Sequence, residues 1–504
     1  MKILKSLILF CCCTSLSAQT YKNPVLLADY SDPDVIRDGN DYYLIASSFH
    51  FVPGIPILHS KDLVHWELSG HVVQRLNFSP AYDMVGGNRY AGGIWAPSVR
   101  FHQGLFYVYF PTPAEGIFVS TAPKMTGPWT EPVAVIAGPG FEDPCPFWDD
   151  DGKAWLVHSR LGAGPLILHR MAEDGKSVLD AGRVIVQDPK ALPTLEGPKF
   201  YKRNGWYYIF APMGGVGEGS QAVLRARNIE GPYEHRIVLS QGDTKINGPH
   251  QGGYVETPDG RGWFLHFQQR GAQGRIVHLE PVVWKDDWPI IGNVGEPVSE
   301  GPLPVAISGA AKMKPQTSDD FNAPTLSPMW EWNHNPEDTL WSLKEHKGYL
   351  RMHPGYAFDL MHARNTLTEV MQDEALDFTV RMDARHMKDG DHAGISLFDR
   401  SLSSLAVVQK AEGKQLIFTS MGHETPGPPI STGTIELSLR FNGDTVSYFY
   451  SVNEGKTFLP LGTPVRMAFS WWKGARPAIF SYTTDSQPHP NHFVDIDWAH
   501  YTAQ

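Results

Sequence analysis

The chain is expected to be all-β: a five-bladed β-propeller followed by a β-sandwich. Three observations carry that expectation. Five segments share one pattern, a Gly-bearing turn and then a strand that opens on an aromatic residue. Gly39 precedes Tyr42-Tyr43, Gly104 precedes Phe106-Tyr107, Gly152 precedes Trp155, Gly205 precedes Trp206-Tyr207, and Gly260 precedes Trp263-Phe264. The intervals of roughly 50–65 residues suit four-stranded blades repeated around a channel. Between residues 21 and 301 no long amphipathic helical pattern interrupts these units; short aromatic and β-branched runs alternate with Gly, Pro, Asp and Asn. After residue 318 the pattern becomes strict alternation, as in Asp377-Phe378-Thr379-Val380-Arg381-Met382 and Ile435-Glu436-Leu437-Ser438-Leu439-Arg440-Phe441, which reads as half-buried strands.

The elements follow in order. Met1-Lys2-Ile3-Leu4-Lys5, an apolar run to Leu16 and Ser17-Ala18-Gln19 form a secretory signal over residues 1–18, with cleavage near Ala18. The run is too short to span a membrane as a mature helix. Export across an inner membrane, with a periplasmic destination, is the expectation. Cys11, Cys12 and Cys13 fall in the signal, so a lipid-anchored form is the alternative, although the small residue such processing prefers before the cysteine is missing. The mature chain keeps only Cys145, which excludes an intrachain disulfide or a cysteine metal site and suits a small buried apolar residue.

Residues 19–302 make the propeller. Its outer markers are Ser60-Lys61-Asp62-Leu63-Val64-His65-Trp66, then Gly127-Pro128-Trp129 and its echo Gly231-Pro232-Tyr233. Residues 303–317, rich in Gly, Ala, Pro and Ser, make a linker. Residues 318–504 make the sandwich, with Asn442-Gly443-Asp444 as a hairpin turn. The formal net charge of −11 over 504 residues argues against a nucleic-acid partner. The 15 Trp, 19 Tyr and 25 Phe suit packed blades first and sugar rings second.

Chemistry appears at one phase of the repeat. About 10–13 residues before each aromatic strand stand Asp32, Trp95, Asp143, Glu196 and His250, most of them beside proline. Residues in one phase of successive blades share a radius and a height, so these five should meet in one axial pocket. Singly, Asp32 or Glu196 reads as a solvated turn acid. Together they suit glycosidic bond cleavage, in which one carboxyl protonates the leaving oxygen and another, ionised, activates water or attacks carbon. A third carboxyl beside the acid raises its pKa. This chemistry requires no cofactor.

The segments Asn23-Pro24-Val25-Leu26, Asp32-Pro33-Asp34, Gly54 to Trp66, Gly93-Ile94-Trp95-Ala96-Pro97 and Glu196-Gly197-Pro198 resemble family 43 of the glycoside hydrolases. The second domain resembles the sandwich of its β-xylosidase and α-L-arabinofuranosidase branch. The resemblance implies inversion, with Asp32 as general base, Glu196 as general acid and Asp143 as the residue that tunes the acid. Inversion puts base and acid about 6.5–9.5 Å apart. It further implies Phe49 and Trp95 as walls of the sugar subsite, Arg275 as a ligand of sugar hydroxyls, and His250 as a channel residue that binds substrate or helps hold a hydrated structural calcium ion. The chain departs from the pattern in Glu142, an extra acid beside Asp143, and in His50-Phe51, where xylosidase-like members carry an acid and a tryptophan. Trp471-Trp472-Lys473-Gly474-Ala475-Arg476 is the candidate for a sandwich loop reaching the pocket mouth, with core packing as its other reading.

The implied activity is exo-acting release of terminal pentose from plant polysaccharide or oligosaccharide, with no membrane span. The first expectation is an α-L-arabinofuranosidase on xyloglucan, arabinoxylan or arabinan side chains. The second is a β-D-xylosidase on xylo-oligosaccharides. A non-catalytic sugar-binding propeller is the alternative of another class. A retaining fructan-cleaving propeller would carry Asn before its Asp-Pro, where this chain has Ser31.

Overall fold

The computed structural model describes residues 19–305, 313–487 and 491–504. The expected signal, with its three cysteines, lies outside the described residues, as does the middle of the expected linker. Three short 3-10 turns are the only helical elements among the described residues, and no helix is long and apolar enough to cross a membrane.

Five four-stranded antiparallel sheets form the propeller. Blade 1 comprises Asp34–Asp38, Asp41–Ile45, Gly54–Ser60 and Trp66–Val73. Blade 2 comprises Ser98–His102, Leu105–Thr112, Gly116–Ala122 and Val133–Ala137. Blade 3 comprises Phe141–Trp148, Ala154–Arg160, Leu166–Met171 and Arg183–Val186. Blade 4 comprises Lys199–Arg203, Trp206–Met213, Ser220–Ala226 and Glu234–Leu239. Blade 5 comprises His250–Glu256, Gly262–Gln269, Arg275–Lys285 and Trp288–Ile291. The five repeat glycines explain the five inner hairpins: Gly39, Gly104, Gly152, Gly205 and Gly260 all have φ between 60° and 83°, a region L side chains avoid. The aromatics that follow sink between blades; Tyr42, Phe106 and Trp263 are buried.

Each blade is contiguous in sequence, so the ring is closed from outside the blades. Thr20–Lys22 pairs antiparallel with Glu300–Pro302. Asn23 donates its amide to Leu279 O and Val298 O and accepts from Leu279 N, which ties the start of the propeller to blade 5.

The sandwich has a nine-stranded and an eight-stranded sheet around one apolar core. The nine-stranded sheet extends into the propeller. Its edge strand is Phe51–Val52, which pairs with Glu331–Asn333 in the register Trp332 to Val52 and Asn333 to Phe51. At the same seam Glu331 bonds Arg476 at 2.5 Å and faces His71 of blade 1 at 3.0 Å, all three buried. The two domains therefore share a sheet and a buried charge cluster.

Candidate active site

The inner strand of each blade begins, or is entered, at the repeat phase described above. Asp32 stands two residues before the inner strand of blade 1, with φ of 55°. Asp143 lies within the inner strand of blade 3 at a bulge between Glu142 and Cys145, with φ of 54°. His250 opens the inner strand of blade 5, also at a bulge, and Gln251 has φ of 40°. Trp95 and Glu196 hold the same relation to their blades: Trp95 N donates to Pro111 O and Glu196 N to Pro212 O, at 3.0 and 3.1 Å. Phe49, with φ of 53°, pairs with Ile94 by a bridge just before the Phe51–Val52 strand. Left-handed backbone at Asp32, Phe49 and Asp143 costs of order 1–3 kcal/mol each and re-aims these side chains towards the axis.

All seven residues singled out in the sequence line one cavity of about 250 Å³: Asp32, Phe49, Trp95, Asp143, Glu196, His250 and Arg275. Asp32 is buried and held on both oxygens, by Ser47 Oγ at 2.5 Å and by Arg275 Nη1 at 3.1 Å. Asp143 accepts from Ser159 Oγ and Gly197 N, both at 2.9 Å, and from Gln251 Nε2 at 3.1 Å. Glu196 remains about 23% exposed in the cavity, with Oε1 2.9 Å from His250 Nε2. Glu142, Asp143 and Glu196 bring carboxylate oxygens within 4.8 Å of one another; Asp32 is not one of that group. Burial, then the charge of Glu196, raises the Asp143 carboxyl above its ordinary range. Burial, then Asp143, raises Glu142, which accepts a hydrogen bond from Ala163 N at 2.9 Å.

Three rings wall the acids. Phe49 and Trp95 lie 6.1 Å apart between centroids, and Trp472 of the sandwich meets Trp95 edge-on at 6.1 Å. The two tryptophans of the sandwich loop divide the readings offered for them. Trp471 stacks on Tyr90 at 4.4 Å in the domain interface, while Trp472 is a wall of the cavity. His50 and Phe51, the departures from the xylosidase-like pattern, do not line the cavity. Both are buried in the domain seam, His50 against Tyr90 and His334, and Phe51 under the Arg476 guanidinium at 3.8 Å. Neither side chain therefore faces a sugar in the cavity.

Arg275 is committed to Asp32 and stacked near Phe267, with its Nε buried and unpartnered. His250 Nδ1 is also buried without a partner. An imidazole nitrogen suits a water in the shell of a hydrated cation, so the residue fits the calcium role implied for it. Glu142, Gln251, Ser47 and Ser159 complete the site. Of these Glu142 had a visible signal, as the extra acid beside Asp143, and Gln251 follows His250 in the Gly-Pro-rich segment. The two serines had none.

Residues 21–289 match the model for glycosyl hydrolases family 43, and residues 318–502 match the β-xylosidase C-terminal concanavalin A-like domain. A putative β-xylosidase of Xylanibacter ruminicola is 43% identical over 91% of this chain and 85% of its own. A β-xylosidase of Formosa agariphila is 33% identical over 96% of this chain and 90% of its own. A non-reducing end α-L-arabinofuranosidase of Bacteroides ovatus is 30% identical over 89% and 88%. Among solved structures, a GH43 protein of Bacillus licheniformis superposes with a TM-score of 0.85 at 27% identity, covering 96% of this chain and all of that one. A bifunctional GH43-CE protein of Bacteroides eggerthii gives 0.87 at 31% identity over 97% of this chain, which spans 64% of that protein. The chain is thus an enzyme rather than a non-catalytic sugar-binding propeller, and it belongs to glycosyl hydrolases family 43.

Proposed function

We propose that the chain is an inverting, exo-acting β-D-xylosidase that takes terminal xylose from xylo-oligosaccharides. The observation that carries the reading is the cavity. At about 250 Å³ it is smaller than the roughly 300–1,000 Å³ usual for drug-sized ligands, which suits one terminal sugar ring. It brings carboxyls in two settings against three aromatic walls. The preference for xylose is supported by the relative named putative β-xylosidase at 43% identity and by the β-xylosidase relative at 33%. The arabinofuranosidase expected first from the sequence becomes the second reading, supported by the Bacteroides ovatus relative at 30%.

In this reading Glu196, open to the cavity, gives its proton to the leaving oxygen as the glycosidic bond breaks. Asp32 takes a proton from water as the water oxygen bonds the anomeric carbon on the opposite face. Ser47 and Arg275 hold both Asp32 oxygens, so its orientation is set before substrate arrives. Asp143 binds Gly197 N, next to Glu196, and so orients the acid. Phe49, Trp95 and Trp472 pack on the sugar, and Arg275 and His250 offer hydrogen bonds to its hydroxyls. His250 is further proposed to bond, through its free Nδ1, the water shell of a calcium ion, which when bound would supply positive charge to the channel. Residues 1–18 support export to the periplasm.

The test is kcat/KM on 4-nitrophenyl β-D-xylopyranoside, 4-nitrophenyl α-L-arabinofuranoside and xylobiose, for wild type and Glu196→Gln. The expected result is preference for the xylosides, with xylobiose turnover falling about 10²–10⁴-fold in the variant. Preference for the arabinofuranoside promotes the second reading. Xylobiose turnover at the wild-type rate in Glu196→Gln removes Glu196 from the acid role.

A further inference from the structure

Lys473 belongs to the sandwich, yet its ammonium is buried inside the propeller. Nζ donates to Asp29 O at 3.1 Å and Ser47 O at 3.2 Å, and pairs with Asp29 Oδ2 at 3.0 Å. Both partners lead to Asp32. The second oxygen of Asp29 accepts from Arg275 N at 2.8 Å, and Arg275 Nη1 reaches Asp32 Oδ1. The Ser47 hydroxyl donates to Asp32 Oδ2. The two residues that hold the two Asp32 oxygens are thus held from behind by one ammonium from the other domain.

The junction leaves little slack. Gly474 N donates to Asp29 Oδ2 at 3.1 Å, and Ala475 N donates to Ala272 O at 2.8 Å. A Cβ on Gly474 would come within 2.7 Å of the Gln273 backbone, and one on Gly274 within 2.5 Å of Asp29 Cγ. Burial pulls the Lys473 ammonium below its ordinary pKa and Asp29 opposes the shift. A buried ammonium that only pinned two domains together would be a poor device, because desolvation offsets most of its attraction to Asp29. A pair placed behind both supports of Asp32 has a use beyond docking.

We propose that Lys473 is a positioning residue for the reaction: through Ser47 and through Asp29 and Arg275 it sets the orientation of Asp32, so the sandwich completes the catalytic centre. The proposal rests on Asp32 acting as general base. A displacement of about 1 Å at such a group costs on the order of 100-fold in rate.

The test uses the full chain with Asp29→Asn/Lys473→Met, which removes both buried charges together and leaves neither unpaired. Melting temperature, kcat and KM are measured on whichever of the two nitrophenyl glycosides the wild type turns over. The expected result is a melting temperature a few degrees below wild type, because an amide in place of the Asp29 carboxylate accepts from only one of Arg275 N and Gly474 N, with KM within about threefold and kcat down about 100-fold. A folded double variant with kcat within about threefold of wild type would reduce Lys473 to a docking contact and overturn the proposal. Should the double variant fail to fold, Lys473→Arg decides. It keeps the charge, but a planar guanidinium has a different donor geometry from the ammonium. Retained melting temperature with kcat down at least about tenfold supports the proposal, and wild-type kcat overturns it. Asp32→Asn is the control: wild-type kcat in that variant overturns the base assignment itself, whereas an inactive Asp32→Asn beside an active double variant overturns only the role of Lys473.

Discussion

Trp472→Gly should separate activity from stability. Ser470 and Lys473 close a two-residue turn, Lys473 N to Ser470 O at 2.8 Å, with Trp471 and Trp472 between them at φ of 51° and 62°. Such turns are ordinarily built on Asn-Gly. A tryptophan in this region costs about 1–2 kcal/mol. Glycine removes that cost but adds about 0.5–1 kcal/mol of chain entropy to the unfolded state. The ring contributes about 0.5–1.5 kcal/mol through its edge contact with Trp95. The Arg275 guanidinium 5.8 Å from its centroid adds about 0.5–1 kcal/mol. These terms offset only in part, so stability should fall by about 1 kcal/mol, and by about 2.5 kcal/mol at the upper end, with each kcal/mol worth roughly 2–4 °C in melting temperature. Activity has no such compensation. Covering roughly 60–80 Å² of ring face with sugar at about 25 cal/mol per Å² is worth about 1.5–2 kcal/mol, a 10–30-fold loss of kcat/KM when the ring is gone. Scanning fluorimetry and steady-state kinetics on the same preparation decide. A melting temperature lowered by about 8 °C or more with kcat/KM unchanged would show that Trp472 is packing rather than a pocket wall, and would refute the reasoning.

Three further outcomes are expected. Glu142 and Asp143 hold their protons more tightly in the fold than in the unfolded chain. That stability is fully present below about pH 4.5 for Glu142 and below about pH 3.8 for Asp143, and is lost as pH rises through the folded values. Glu142→Gln keeps the acceptor for Ala163 N and should melt a few degrees above wild type at pH 8, a gap that closes towards pH 4.5; an equal gap at both pH values would contradict the shift. Burial alone would raise the Glu331 carboxyl, but Arg476 and then His71 hold it down to about 2, so its contribution is present above pH 4.5 and lost as pH falls towards 2. Glu331→Gln strands Arg476 and should cost about 3–5 kcal/mol at neutral pH, read from chemical denaturation; a loss under about 1 kcal/mol would mean the seam relaxes around the lone cation. EDTA should lower the melting temperature, and calcium chloride should restore it with calcium detected by atomic emission in the protein. An unchanged melting temperature with no calcium detected would leave His250 as the partner of Glu196 alone.

The propeller was legible because each blade repeats one physical device, a glycine at positive φ followed by an aromatic that packs between blades. Phase then placed Asp32, Trp95, Asp143, Glu196 and His250 in one pocket without any knowledge of distance. Phe49 and Arg275 came only through resemblance, since neither shares that phase. What stayed hidden acts across the chain. Lys473 meets Asp29 over a separation of 444 residues, and no local pattern marks a lysine that will be buried in another domain. The Phe51–Val52 strand is two residues long, too short to carry an alternating pattern, yet it joins the sheets of both domains. That hidden seam is also why His50 and Phe51 resembled a change in the sugar subsite. They answer to Tyr90, His334 and Arg476 instead. The sugar itself is set by the shape of the cavity walls, to which Gly162, Thr194 and Gly215 contribute from loops without any repeat signature.

Proton NMR of xylobiose hydrolysis, followed from the first turnover, tests the central claim most directly. A base and an acid on opposite faces of the sugar release α-xylose from a β-xyloside, before mutarotation mixes the anomers. Initial release of α-xylose is the result this account predicts. Initial release of β-xylose would require a covalent intermediate on one carboxylate and would contradict the division of roles between Asp32 and Glu196.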